Sequence, residues 1–120
     1  MEGGLGMMLL ANCGAAVTVA LGGLGLLFPG YVGRMLGLRP ELPLGISECR
    51  ATYGGFFCGL GAGCLVFQSV PVFTVVGAAW CAAAAARLVS APLDGTRSWH
   101  TLVGIGIEGG VGLSLLAARL

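Results

Sequence analysis

Four stretches of this chain, at about residues 5–28, 49–67, 70–89 and 99–118, are almost unbroken runs of apolar residues. Each is close to the roughly 20 residues that a helix needs to cross a hydrocarbon core about 30 Å thick. In lipid a backbone must satisfy its own hydrogen bonds, which leaves helices and closed barrels as the spanning structures. Runs this long and this unalternating are helical. The expectation is therefore an all-α, integral membrane four-helix bundle with short loops and no strands, forming one transmembrane domain over residues 1–120. Composition agrees. Charged residues make up 9% of the chain and hydrophobic ones 57%, against about 25% charged in an ordinary soluble domain. Too few polar side chains remain to cover a water-facing surface, and disordered chains are polar. Six basic against five acidic residues, a formal charge of +1, also excludes a basic nucleic-acid binder. Membrane lipids are the first partner expected.

The first run is read as a retained helix, because no basic residue precedes it and it exceeds the 7–15 residues of a signal-peptide core. Gln68-Ser69-Val70-Pro71 is a tight turn joining runs two and three. The longer connection from Pro29 to Ser47 contains Pro29, Pro40 and Pro43, and its middle, Tyr31 to Leu38, suits a short helix at headgroup level. With four crossings, this connection and the one from Ser90 to Ser98 share a face. That face and its helix ends carry Arg34, Arg39, Arg50, Arg87 and Arg97, against Arg119 opposite. The positive-inside rule then places the two larger loops on the cytoplasmic-equivalent side of a bacterial inner or organellar membrane, with both termini opposite. Tyr31 and Trp99 fall where interfacial aromatics belong.

Helices in lipid associate through close backbone approach and hydrogen bonds. Ala51, Gly55, Gly59 and Gly63 recur every four residues in the second run, and Gly106 and Gly110 do so in the fourth, so these are the expected packing positions. Asn12 and Thr18 are expected to hydrogen-bond across helices. Cys13, Cys49, Cys58, Cys64 and Cys81 show no paired spacing and read as small apolar packing residues, with no metal site implied. Gly104-Ile105-Gly106-Ile107-Glu108-Gly109 matches a dinucleotide-binding string, but it lies inside an apolar 20-mer rather than between a strand and a helix. His100 is the sole histidine and has no companion ligands. No cofactor is required by these residues.

Ionisable groups within the apolar runs demand a partner or a purpose, since one at mid-helix costs at least about 2.5–3.5 kcal/mol. Glu108 lies nine residues beyond Trp99, about 13 Å deep at 1.5 Å per residue. Arg87 sits roughly one turn inside the end of run three, with Asp94 just outside it. Glu48 and Arg50 open run two at the same level, but two residues apart they point about 200° from each other. Cross-helix pairing is the expected solution: Glu108 with Arg50 or Arg87, and Glu48 with the other arginine. Runs two, three and four would then be mutual neighbours, with Gly55 and Gly59 near the contact. Every basic residue is arginine, whose planar fork suits a bidentate carboxylate.

Glu48-Cys49-Arg50-Ala51-Thr52-Tyr53-Gly54-Gly55 resembles the signature of a family of small four-helix membrane proteins known as domain of unknown function 4345. Arg87-Leu88-Val89-Ser90, Asp94-Gly95 and the lone Glu108 resemble its other marked positions. The resemblance implies four helices and singles out Glu48, Arg50, Tyr53, Arg87, Asp94 and Glu108, with no established activity attached. Two functions stay in competition. One is an accessory or structural subunit of a larger respiratory or photosynthetic type complex, with a protein partner or further copies of itself in the membrane. The other is an intramembrane enzyme or binding protein for a lipophilic small molecule. A carrier or channel is weaker, because four short helices enclose little room.

Overall fold

Prolines begin helices in this chain and left-handed residues end them. The computed structural model describes residues 2–120, which are helical with no strand. Helix α1 spans Glu2–Leu27 and stops two residues short of Pro29, whose ring disfavours helical backbone before it. Pro29 opens α2 (Pro29–Met35) and Pro43 opens α3 (Pro43–Arg50), the position where a missing N–H costs nothing. Helix α3 runs directly into a π-helical segment, Ala51–Phe56, and then into α4, Phe57–Phe67. Gln68, left-handed at φ 49°, ends α4. Helix α5 (Val70–Asp94) has Pro71 in its first turn. It runs past the expected end at residue 89, because Pro92 removes one bond in the last turn and only Gly95, at φ +67°, breaks the helix. Arg87 is thus two turns, not one, from the end of α5. Helix α6 (Trp99–Leu116) begins on Ser98, whose hydroxyl accepts the Thr101 N–H.

Helices α1, α5 and α6 are each long and apolar enough to cross a membrane. Large apolar side chains lie mostly outside: Leu9, Leu24, Val66, Val75, Leu88 and Leu113 are all exposed. The buried face is built largely from small residues, including Ala11, Ala15, Cys64 and Ala84, with Phe73, Trp80 and Leu115 filling the remaining space. Such a distribution is unsuited to water and suits helices that associate by close approach.

Helix α1 packs on the π segment and α4 along one side and on α6 along another, while α5 packs chiefly on α6. The turn at Gln68–Ser69 brings α5 back beside α4, where the Phe57 and Trp80 rings meet at 5.0 Å. The second and fourth runs both pack on α1, so the expected mutual contact of runs two, three and four is corrected. The expected glycine faces are corrected as well. A side chain at Gly55, Gly59, Gly63, Gly106 or Gly110 would meet nothing within 4 Å, and Ala51 is exposed. The contact uses a different stripe. A Cβ on Gly25 would collide with the Tyr53 carbonyl, one on Gly54 would stand 2.7 Å from the Leu26 nitrogen, and one on Gly61 2.8 Å from the Ala15 carbonyl oxygen.

Asn12 and Thr18 of α1 do bond across helices. The Asn12 and Gln68 amides are reciprocal partners at 2.6 and 3.1 Å. Fully buried Thr18 donates to the Gly14 carbonyl at 2.8 Å and accepts the Trp80 indole N–H at 3.1 Å. Thr18→Val keeps the shape and strands that indole donor. The expected loss is about 1 kcal/mol, the scale of interhelical hydrogen bonds in membranes, read from denaturant titration of the detergent-solubilised protein. Of the cysteines, Cys49 and Cys64 are buried, Cys58 and Cys81 half-buried and Cys13 exposed, all with free thiols.

Candidate functional site: a charge pair between α5 and α6

Helix α6 presents Gly104 and Glu108 one turn apart, hence on one face. That face meets α5. The missing side chain at Gly104 leaves a notch in which Arg87 lies: a Cβ there would be 2.9 Å from Arg87 Nε and 3.0 Å from its Cδ. Through this notch Arg87 reaches Glu108, donating from Nε to Oε1 at 2.7 Å and from Nη2 to the same oxygen. Glu108 is 8% exposed, whereas the Arg87 side chain is 37% exposed. The carboxylate is held inside and the arginine stem runs outward from it.

Both donors converge on one oxygen, so the expected fork across two carboxylate oxygens does not form. Glu108 Oε2 is buried with no hydrogen-bond partner among the described residues. An unpaired charged acceptor is costly in a low-dielectric setting. An added hydrogen-bond donor at this oxygen would relieve that cost.

The other singled-out residues lie elsewhere. Arg50 donates to the Leu26 carbonyl, in the last turn of α1, where helix carbonyls lack intrahelical partners and carry partial negative charge. A cation there caps α1 and is not free to reach Glu108. Glu48 is exposed, and the Arg87–Glu108 pair is the one ion pair among the described residues, which corrects the pairing expected for Glu48. Tyr53 is half-buried, its ring edge-on to Phe57 at 5.9 Å. Asp94 accepts from Ser90 one turn earlier in α5 and stays at the helix end, apart from Glu108. His100 is exposed at the start of α6. Of the motif residues, only Arg87 and Glu108 meet; Arg50 caps α1, and Glu48, Tyr53 and Asp94 lie apart from the pair. Sequence reading missed Gly104, although its position one turn before Glu108 on an inward face marked it as the neighbour of whatever reaches that carboxylate.

Comparison with known proteins agrees with the motif. The family model described as Domain of unknown function (DUF4345) matches residues 6–118, almost the whole chain. No curated protein and no solved structure matches.

Proposed function

This chain belongs to the family described as domain of unknown function 4345, and on that premise we propose that it is a four-span membrane protein serving as an accessory or structural subunit of a larger membrane complex. Helices α1, α5 and α6 provide three crossings. The helical run from Pro43 to Phe67, continuous through its π segment, provides the fourth. The arginine distribution sets the two larger loops on the cytoplasmic-equivalent side. In this reading Arg87–Glu108 is a staple that fixes the register of α5 on α6.

The observation that carries the subunit reading is the outward stripe of Ala51, Gly55, Gly59 and Gly63, with open space above each of its glycines. A stripe of this kind lets a neighbouring transmembrane backbone approach closely, which is how helices associate in lipid. Mild detergent extraction followed by native mass spectrometry tests it. Wild type should retain a partner subunit or further copies of itself, and Gly59→Leu should shed them while remaining folded. A wild-type protein that emerges alone, or a leucine variant that keeps its partner, overturns the reading.

The unpaired Glu108 Oε2 favours a second reading, a binding or proton-handling site for a lipophilic small molecule. Glu108→Gln separates the two. Intact assembly with lost ligand or turnover supports the site; lost assembly supports the staple.

A further inference from the structure

We propose that the connection between α2 and α3 is a receptor for a phospholipid headgroup carrying both a phosphate and a primary ammonium. Arg34, Arg39 and Glu41 line one open cleft of about 410 Å³, together with Gly37, Leu38 and Pro40. Two arginines thus border one cleft, and the guanidinium fork is the side-chain group best matched to phosphate oxygens. The carboxylate in the same cleft is a poor neighbour for a purely anionic ligand and a good one for a ligand that ends in N–H donors. A zwitterionic headgroup satisfies both.

The walls of the cleft are held in place. Gly37, at φ +81°, ends α2, and the Leu38 N–H closes back on the Gly33 carbonyl at 2.9 Å. Pro40 is wedged against Gly33 and Gly45: a Cβ on Gly33 would stand 2.8 Å from Pro40 Cγ, and one on Gly45 3.2 Å from Pro40 Cα. The surroundings identify the occupant. Leu38 in the cleft wall, and Leu36, Leu42 and Leu44 flanking the lining residues in sequence, are 41–72% exposed. Such a rim is disfavoured in water and belongs at the boundary of headgroups and acyl chains, where the species at hand is a phospholipid.

The inference rests on the membrane placement proposed above, and the test separates the two. Full-length protein is first recovered from membranes washed with alkaline carbonate. Extraction by that wash overturns the placement and the receptor together. Protein retained in the membrane is then solubilised and titrated with phosphatidylethanolamine, phosphatidylglycerol or phosphatidylcholine, and bound lipid is counted by native mass spectrometry. Phosphatidylethanolamine should be held about tenfold more tightly than either of the others, the scale of one charge-assisted hydrogen bond. Phosphatidylglycerol lacks the ammonium, and the quaternary ammonium of phosphatidylcholine has no N–H to donate. Arg34→Gln with Arg39→Gln should abolish retention. Glu41→Gln should instead erase the preference among the three while keeping binding. Equal retention of the three lipids by wild type, unchanged retention in the double arginine variant, or displacement of bound lipid by excess inorganic phosphate overturns the receptor and leaves the membrane placement standing.

Discussion

Gly25→Ala is expected to prevent the folded bundle from forming, while Gly59→Ala leaves it intact. The added methyl at residue 25 would collide with both the carbon and the oxygen of the Tyr53 carbonyl. Both are backbone atoms of a helical segment, so no rotamer change relieves the clash, and α1 must separate from the π segment. Separation would carry away the neighbouring contacts at Gly22 and Gly54 and pull the Leu26 carbonyl from Arg50. Overpacking a close contact costs about 1–3 kcal/mol where neighbours can yield. Here they cannot, and the expected loss is about 3 kcal/mol or more. At Gly59 the new methyl meets nothing within 4 Å, and replacing glycine inside a helix gains about 0.5–1 kcal/mol. Far-UV circular dichroism during unfolding in mixed detergent micelles reads both. Equal stability of the two variants would show that α1 and the second run do not cross at Gly25 and Gly54.

Glu108→Ala should be the next most damaging change, and adding Arg87→Leu to it should restore part of the loss. Alone, the alanine leaves a guanidinium lying in the Gly104 notch with no carboxylate. Breaking a buried pair from one side costs about 3–5 kcal/mol in soluble proteins, and replacing both members with apolar residues costs less. A membrane lowers the figure, because the loosened chain finds other partners and the 37%-exposed arginine can turn toward the headgroups. The sign of the coupling is the decisive quantity. It comes from a double-mutant cycle on the same unfolding measurement. Additive losses would mean that Arg87 and Glu108 stabilise the bundle independently, and the staple would then be excluded.

The helical class, the presence of three uninterrupted apolar helices and the break before Pro29 are legible in the sequence, because each is a local property, whereas the expected end of α5 at residue 89 and start of the second run at 49 fall short of the helices that reach Asp94 and open at Pro43. Apolar length selects a helix in lipid, and proline and glycine act on their own dihedral angles. The same holds for Glu108. A single carboxylate deep in an apolar run must turn inward whatever the fold, and the nearest arginines are few enough to name. What local reading could not supply was the choice between Arg50 and Arg87, because both lie at the same level and either side chain is long enough.

That choice belongs to the tertiary structure. Two stripes of small residues run along the second helical run, Gly55, Gly59 and Gly63 on one face and Gly54, Cys58 and Gly61 on another. Both are small enough for close packing, so spacing alone does not separate them. With Gly54 and Gly61 against α1, Arg50 is spent on the Leu26 carbonyl and Glu108 is left to Arg87. The sequence by itself determined which residues must be helical and which charges need partners, since both follow from the cost of polar groups in an apolar medium. Only the packed helices decided which partner each charge received and which glycines face outward, since both depend on the relative rotation of helices whose faces are nearly alike.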